Sequence, residues 1–498
     1  MLFNSPSFLL IFLPVTLVGF FLIAAQSRRA AALWLALASL AFYSVWNPRF
    51  VALLLASVAF NYGMGFALGK ARGHRQARPL LVAAIAVDLG LLAFFKYTNF
   101  FLTTVNELSG VHIPLAHIVL PLGISFFTFT QIAFLVDVSC GIATEYNFIH
   151  FLLFVTYFPH LIAGPVLHHK QMMPQFAAPA TYHFNPGLFA EGFSIFLIGL
   201  AKKIVLADAL AAFVTPLFDA VENGTAVTFF ESWGASLAYT FQLYFDFSGY
   251  SDMAIGLSLL FGVRLPINFA SPYKSRNVIE FWRRWHMTLS QFLRDYLYVP
   301  LGGNRHGPIR RYVNLMLTMI LGGLWHGANW TFVAWGTLHG LFLVLNHGWQ
   351  RLWTTDGKSP PLAANLTATC ATALTFFAVV ASWVVFRARS IHGATMVLAG
   401  MSGANGFVLP GEIAAIIPGL GRHVNVVGNM PLLGNGSVMG VFEQICLIGL
   451  AAVLCFAFPN TQHMGKGLKR AAIFLSIGFV IQGIFFGHAP SPFLYFQF

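Results

Sequence analysis

Two histidines stand where a strongly apolar sequence seldom places a titratable side chain. His326 lies in LGGLWHGANW, Leu321 to Trp330, and His286 in FWRRWHMTLS, Phe281 to Ser290; a tryptophan precedes each. A charge centred in a bilayer costs roughly 2.5–3.5 kcal/mol on insertion scales, but an imidazole can enter uncharged. Desolvation beside Trp325 favours the free base of His326, and Gly322, Gly323 and Gly327 permit close approach of backbone or ligand. A neutral imidazole of this kind suits general-base work on a hydroxyl group. Buried histidines also serve as plain hydrogen bonds between helices, and interfacial ones bond backbone carbonyls, so neither residue decides the matter alone.

Other polar residues cluster nearby in the sequence. Asp246 and Asp252, in QLYFDFSGYSDMAIG, are expected either to support the histidines or, with Ser248 and Ser251, to cap a helix broken around Gly249. Arg283, Arg284, Arg294 and Arg305, with Arg310 and Arg311, carry guanidiniums that fork onto phosphate oxygens. Orientation in the membrane and anionic headgroups would place the same arginines there. His168 to Lys170, HHK, lacks further ligands at a metal-binding spacing, so no metal is expected. Cys140, Cys370, Cys446 and Cys455 form no C-x-x-C pair and read as ordinary buried residues.

The elements that hold these residues are helices in a bilayer. Of 498 residues, 57% are hydrophobic and 9% charged, far from the composition of a soluble domain. Apolar runs fall near 5–25, 30–46, 50–69, 80–96, 118–138, 148–166, 187–215, 229–262, 312–347, 362–386, 437–458 and 471–488, several too long for one crossing. Period-2 alternation is absent, which excludes a barrel. The amino-terminal run has no basic residue before it and Arg28-Arg29 after it, the reverse of a cleavable signal, so it is expected to remain as a span. The positive-inside rule puts Arg28-Arg29, the run Lys70 to Arg78 and Gly465 to Arg470 in the cytoplasm and both termini outside. The net charge of +12 is read the same way, with no nucleic acid as partner.

Residues 264–311 hold nine Lys or Arg against Glu280 and Asp295 and form the expected cytoplasmic centre. There Phe281, Trp285, Leu289, Phe292 and Tyr296 recur at spacings of three or four, the pattern of an amphipathic helix lying at the interface or dipping in and out of it. The stretch 389–436 reads as an outer-face loop with a short helix. No second soluble domain is evident, so 1–498 is taken as one transmembrane domain with 262–330 as its core.

Long blocks in order then point to a family. PLGISFFTFTQIAFLVDV, YFPHLIAGPV, YFDFSGYSDMAIGLSLLFGVRLPINFASPY, FWRRWHMTLSQFLRDYLYVPLGGNR, LGGLWHGANWTFVAWGTLHG and SWVVFRA, with MLFNSPSFLLIFLP at the start and FLYFQF at the end, resemble the membrane-bound O-acyltransferases, or MBOAT. The bacterial branch that acetylates alginate, related to D-alanyl transfer proteins, is the nearest in pattern. The resemblance implies an all-α polytopic fold: about eleven transmembrane helices plus re-entrant or interfacial ones around a central funnel, in a bacterial inner membrane. It implies that His326 is the catalytic histidine and His286 the second family histidine, with Trp325, Asp246 and Asp252 in support. It further implies an acetyl group taken from a cytoplasmic thioester, acetyl-CoA being the expected co-substrate, with no permanently bound cofactor. A periplasmic SGNH-type partner and a polysaccharide acceptor follow from the same resemblance. Asn329, His286 and the backbone amides near Gly322 and Gly323 are the candidate donors to a tetrahedral oxyanion. The loop LHHKQMMPQF departs from the arginine or acidic pattern of many alginate-type relatives, which leaves alginate, acetylated cellulose, another exopolysaccharide or peptidoglycan open as acceptor. The competing readings are a non-catalytic polysaccharide or acyl channel, D-alanyl transfer, and a scaffold that only recruits a partner enzyme.

Overall fold

The computed structural model describes residues 1–143, 147–352, 361–412, 425–427, 430–486 and 491–494. Helices form over the apolar runs: α1 Leu13–Ala24, α2 Arg28–Ser44, α3 Arg49–Ala71, α4 Ala77–Ser109, α5 Ile124–Ser139, α6 Phe148–Thr156, α7 Phe158–Leu161, α8 His169–Ala177 and α9 Pro186–Ala201. A π-helical turn, Lys202–Ala207, leads to α10 Asp208–Ala211, followed by α11 Thr215–Glu222, α12 Phe229–Leu260, α13 Val278–Arg284, α14 Met287–Leu293, α15 Gly307–His326 and α16 Trp330–Leu352. The chain continues through α17 Pro361–Arg387, α18 Ile391–Met401, α19 Val438–Phe456 and α20 Lys466–Phe486. One short parallel pair, β1 Val408–Pro410 with β2 Asn425–Val427, lies within the expected 389–436 loop, of which 413–424, 428 and 429 fall outside the described residues. The same holds for the last four residues of FLYFQF.

Length and apolarity qualify five described segments to cross a bilayer: Arg49–Ala71, Ala77–Ser109, Pro186–Glu222, Leu366–Arg387 and Val438–Phe456, with shorter apolar helices beside them. Local sequence sets the helix starts. Ser27, Asn147, Asn277, Ser390 and Ser437 each accept an amide hydrogen of the first turn through the side chain, relieving donors that a helix cannot satisfy internally.

Contacts divide the chain into two compact units. The first comprises Met1–Leu200, Tyr250–Asn268 and Gly465–Gln497; the second comprises Ala201–Gly249 and Phe269–Met464. Within the second, α15 and α16 form an antiparallel hairpin joined by Gly327, Ala328 and Asn329. Their backbones nearly touch: a β-carbon on Gly323 would collide with the Phe332 carbonyl oxygen, and one on Gly336 would meet Met319 O and lie 3.1 Å from Ile320 Cα. Only glycine allows this approach, and it fixes the end of α15, where His326 sits.

Three expectations need correction. The amphipathic pattern over 281–296 is not one helix, because the chain turns sharply at His286 (φ 44°, ψ 54°) between α13 and α14 and continues as a π-helical turn, Arg294–Tyr298. Phe281, Trp285, Leu289 and Phe292 are nevertheless all buried, so the apolar face packs against protein and not lipid headgroups. The helix is not broken at Gly249 either: α12 runs through it, and Asp246 and Asp252 cap nothing. Among the cysteines only Cys455 is buried; Cys140, Cys370 and Cys446 are exposed on helix surfaces or a turn, where lipid can take the place of protein contacts.

Candidate active site

The second unit gathers the two histidines inside an aromatic enclosure. α15 delivers Trp325 and His326 as its last two residues, and the turn between α13 and α14 delivers His286. The left-handed backbone at His286 costs about 1–3 kcal/mol for a non-glycine residue and turns the chain back so that this ring meets the others. The His286 and His326 ring centroids lie 6.4 Å apart, and Trp325 sits 5.0 Å from His326 and 6.1 Å from His286. At that separation the nearest ring nitrogens are about 4 Å apart or more, beyond direct hydrogen bonding.

Edges and faces of further rings close the enclosure. Trp335 on α16 and Phe386 on α17 meet His326 edge-on at 5.2 and 5.3 Å, and Phe247 on α12 meets His286 at 4.8 Å. Trp335 stacks on Trp383 at 5.6 Å. His286 is 0% exposed and His326 5%, so both rings are buried.

His339, which sequence reading did not single out, holds this enclosure in place. Trp282 Nε1 donates to His339 Nδ1 (3.3 Å), which leaves the proton on Nε2 for donation to Ser382 Oγ (2.9 Å), and Ser382 donates onward to Val379 O (2.7 Å). The imidazole therefore donates to the serine hydroxyl and does not activate it as a nucleophile. His339 lies 4.8 Å from Trp335 and so fixes the wall against which His326 rests. Replacing His339 with leucine strands the Trp282 donor and should lower stability by about 1–3 kcal/mol. His339→Gln, which can accept and donate at its two ends, should recover most of the loss when thermal unfolding is followed in detergent.

The remaining expected residues take distinct places. Asp246 is buried and accepts from Lys203 Nζ at 2.6 Å; Lys203 also reaches Asp208 at 2.8 Å. Lys203 was missed because its partner lies 43 residues away, although an intramembrane lysine is itself a signal for a buried acid. Asp246 precedes Phe247, the residue of α12 that touches His286. Asp252 is buried on the part of α12 that belongs to the first unit. Asn329 caps α16 by accepting from Thr331 N (2.9 Å) and donates to Arg389 O (2.8 Å), so its carboxamide is engaged by the fold. Gly322 and Gly323 lie inside α15, whose ladder takes their amides. Of the arginines, Arg284 pairs with Glu280 (2.6 Å), Arg294 with Asp295 (2.7 Å), and Arg305 donates to Val299 O and Gly302 O. Two described surface pockets, one bordered by Arg28, Arg29 and His183 and one by Gln175, Asn185 and Arg264, include neither His286 nor His326.

The described residues make a helical protein with five segments long and apolar enough to cross a membrane and an imidazole pair walled by aromatic rings, and comparison with known proteins gives the class. The chain belongs to the MBOAT, membrane-bound O-acyltransferase, family, whose model matches residues 139–382. A peptidoglycan O-acetyltransferase of Helicobacter pylori is 38% identical, the match covering 100% of this chain and 98% of that protein. A probable alginate O-acetylase, AlgI, of Pseudomonas aeruginosa is 44% identical over 79% of this chain and 73% of its own length. A teichoic acid D-alanyltransferase of Streptococcus thermophilus is 30% identical over 48% of this chain and 59% of its own. The protein is an acyltransferase of the membrane, and O-acyl transfer is its chemistry.

Proposed function

We propose that this enzyme moves an acetyl group from a cytoplasmic thioester, acetyl-CoA, to a hydroxyl on the outer side of a bacterial inner membrane, for O-acetylation of a cell-envelope polysaccharide. The observation that carries the reading is the buried His286–His326 pair in its aromatic enclosure. His326 takes the proton of the acceptor hydroxyl as its oxygen attacks the thioester carbonyl. The carbon–sulfur bond then breaks, and the imidazolium returns that proton to the departing thiolate, so His326 ends as it began. The tetrahedral oxyanion needs a donor, and with Asn329 tied to Arg389 and the α15 glycine amides inside a helix, His286 is the candidate left from the sequence. Asp246, held by Lys203, positions the α12 wall behind His286.

The acceptor is taken from the relatives. A full-length match to a peptidoglycan O-acetyltransferase and 79–80% matches to alginate O-acetylases support a carbohydrate hydroxyl over the D-alanyl reaction, whose relatives match 48–56% of this chain at 26–30% identity. A periplasmic SGNH-type protein then carries the acetyl group to the polymer, and both chain termini face the periplasm.

The test supplies purified protein and its SGNH-type partner with acetyl-labelled CoA and a soluble glycan acceptor. Acyl transfer releases free CoA in proportion to acetyl ester formed. A scaffold releases none, and a channel passes the labelled donor unchanged.

A further inference from the structure

We propose that Arg283, Arg311 and His347 form a binding site for a phosphate-bearing ligand at the junction of α13, α15 and α16. These helices are joined by the apolar cluster of Val278, Met319 and Leu343, with Trp282 and Phe342 packed against it. Arg283 follows Trp282 directly, His347 lies one helical turn beyond Leu343, and Arg311 lies two turns before Met319 on the other limb of the hairpin. Arg311 Nη2 approaches His347 Nδ1 at 2.9 Å and Nε2 at 3.1 Å. A guanidinium has no acceptor, so the ring can only accept from Arg311, and two basic side chains meet while Arg283 lies on the neighbouring helix of the same apolar cluster.

The contrast with the neighbouring arginines decides the assignment. Arg284 and Arg294 are neutralised by Glu280 and Asp295, and Arg305 is tied to carbonyls. Among the described residues no carboxylate pairs with Arg283 or Arg311. Arg283 is exposed, and Arg311 and His347 are half-buried, so the group is both accessible and uncompensated. Such a cluster is relieved by an oxyanion that takes bidentate hydrogen bonds from the guanidiniums. Two sources carry that chemistry: the phosphates of coenzyme A and the headgroup of an anionic lipid. The first source rests on the proposed thioester donor; the site itself does not.

The full-length protein in neutral phosphatidylcholine nanodiscs, titrated calorimetrically with coenzyme A and with inorganic pyrophosphate, tests the site without reading turnover. Saturable binding is expected, weakened about tenfold by Arg283→Gln or Arg311→Gln and by less than about twofold by Arg284→Gln or Arg294→Gln. Repeating the titration with anionic phosphatidylglycerol separates the sources. Coenzyme A affinity that is unchanged assigns the site to the soluble phosphate. Competition that disappears in Arg311→Gln assigns it to the headgroup. Equal weakening by all four substitutions, or no saturable binding of either probe to the unaltered protein in neutral lipid, overturns the proposal. Because no acetyl transfer is measured, failure here leaves the roles of His326 and His286 standing.

Discussion

Replacing His326 with glutamine is expected to lower acetyl transfer by about 10²–10⁴-fold, the range that a positioned general base contributes, while the protein stays folded in the membrane. Glutamine keeps much of the ring's volume and polarity, so the walls formed by Trp325, Trp335 and Phe386 should hold their places. What it removes is a basic ring nitrogen that can take the proton of the attacking hydroxyl. Steady-state kinetics should show the loss in kcat with little change in KM for the donor, because an interaction made only as the proton moves does not contribute to ground-state binding. His286→Gln should also slow the reaction, but less, since glutamine retains an N–H donor for an oxyanion. Equal effects of the two substitutions would argue that the histidines share one structural role.

The second large effect concerns stability. Lys203→Met should destabilise the protein by about 3–5 kcal/mol, because it leaves the Asp246 carboxylate buried without its cation. Asp246→Asn should cost less, since Lys203 keeps Asp208 at 2.8 Å and Asp208 is 29% exposed, with water to share the charge. The double substitution Lys203→Met with Asp246→Asn should recover part of the loss, the mark of coupled neighbours. Unfolding midpoints of the four proteins in detergent check the ordering; a Lys203→Met protein as stable as the parent would mean the pair contributes nothing. Loss of the pair should also slow catalysis through displacement of α12, whose Phe247 ring rests 4.8 Å from His286.

The parts of this fold written in local sequence were the easiest to read. Runs of apolar residues marked almost every long helix, and the excess length of 312–347 already required a break. That break falls at Gly327–Asn329, immediately after His326, as glycine and a capping asparagine dictate. What depends on distant partners was not legible. Nothing near Asp246 announces Lys203, and nothing near His339 announces Ser382, again 43 residues away. Gly249 suggested a broken helix because glycine weakens helices in water, but packing carries α12 through it. His286 shows the opposite failure. Periodicity across 281–296 argued for a continuous helix, yet the left-handed turn there is imposed by tertiary packing and brings the ring to Trp325 and His326. Asn329, attractive as an oxyanion donor by its position three residues after His326, is used as a cap because its neighbours start a helix.

The most direct test places donor and acceptor on opposite sides of a bilayer. Proteoliposomes containing the purified protein would be loaded with acetyl-labelled CoA and supplied outside with the SGNH-type partner and a glycan acceptor. The account predicts labelled acetyl ester on the external acceptor with the unaltered protein and essentially none with His326→Gln, at equal amounts of reconstituted, folded enzyme. Transfer by His326→Gln at the parental rate would contradict it.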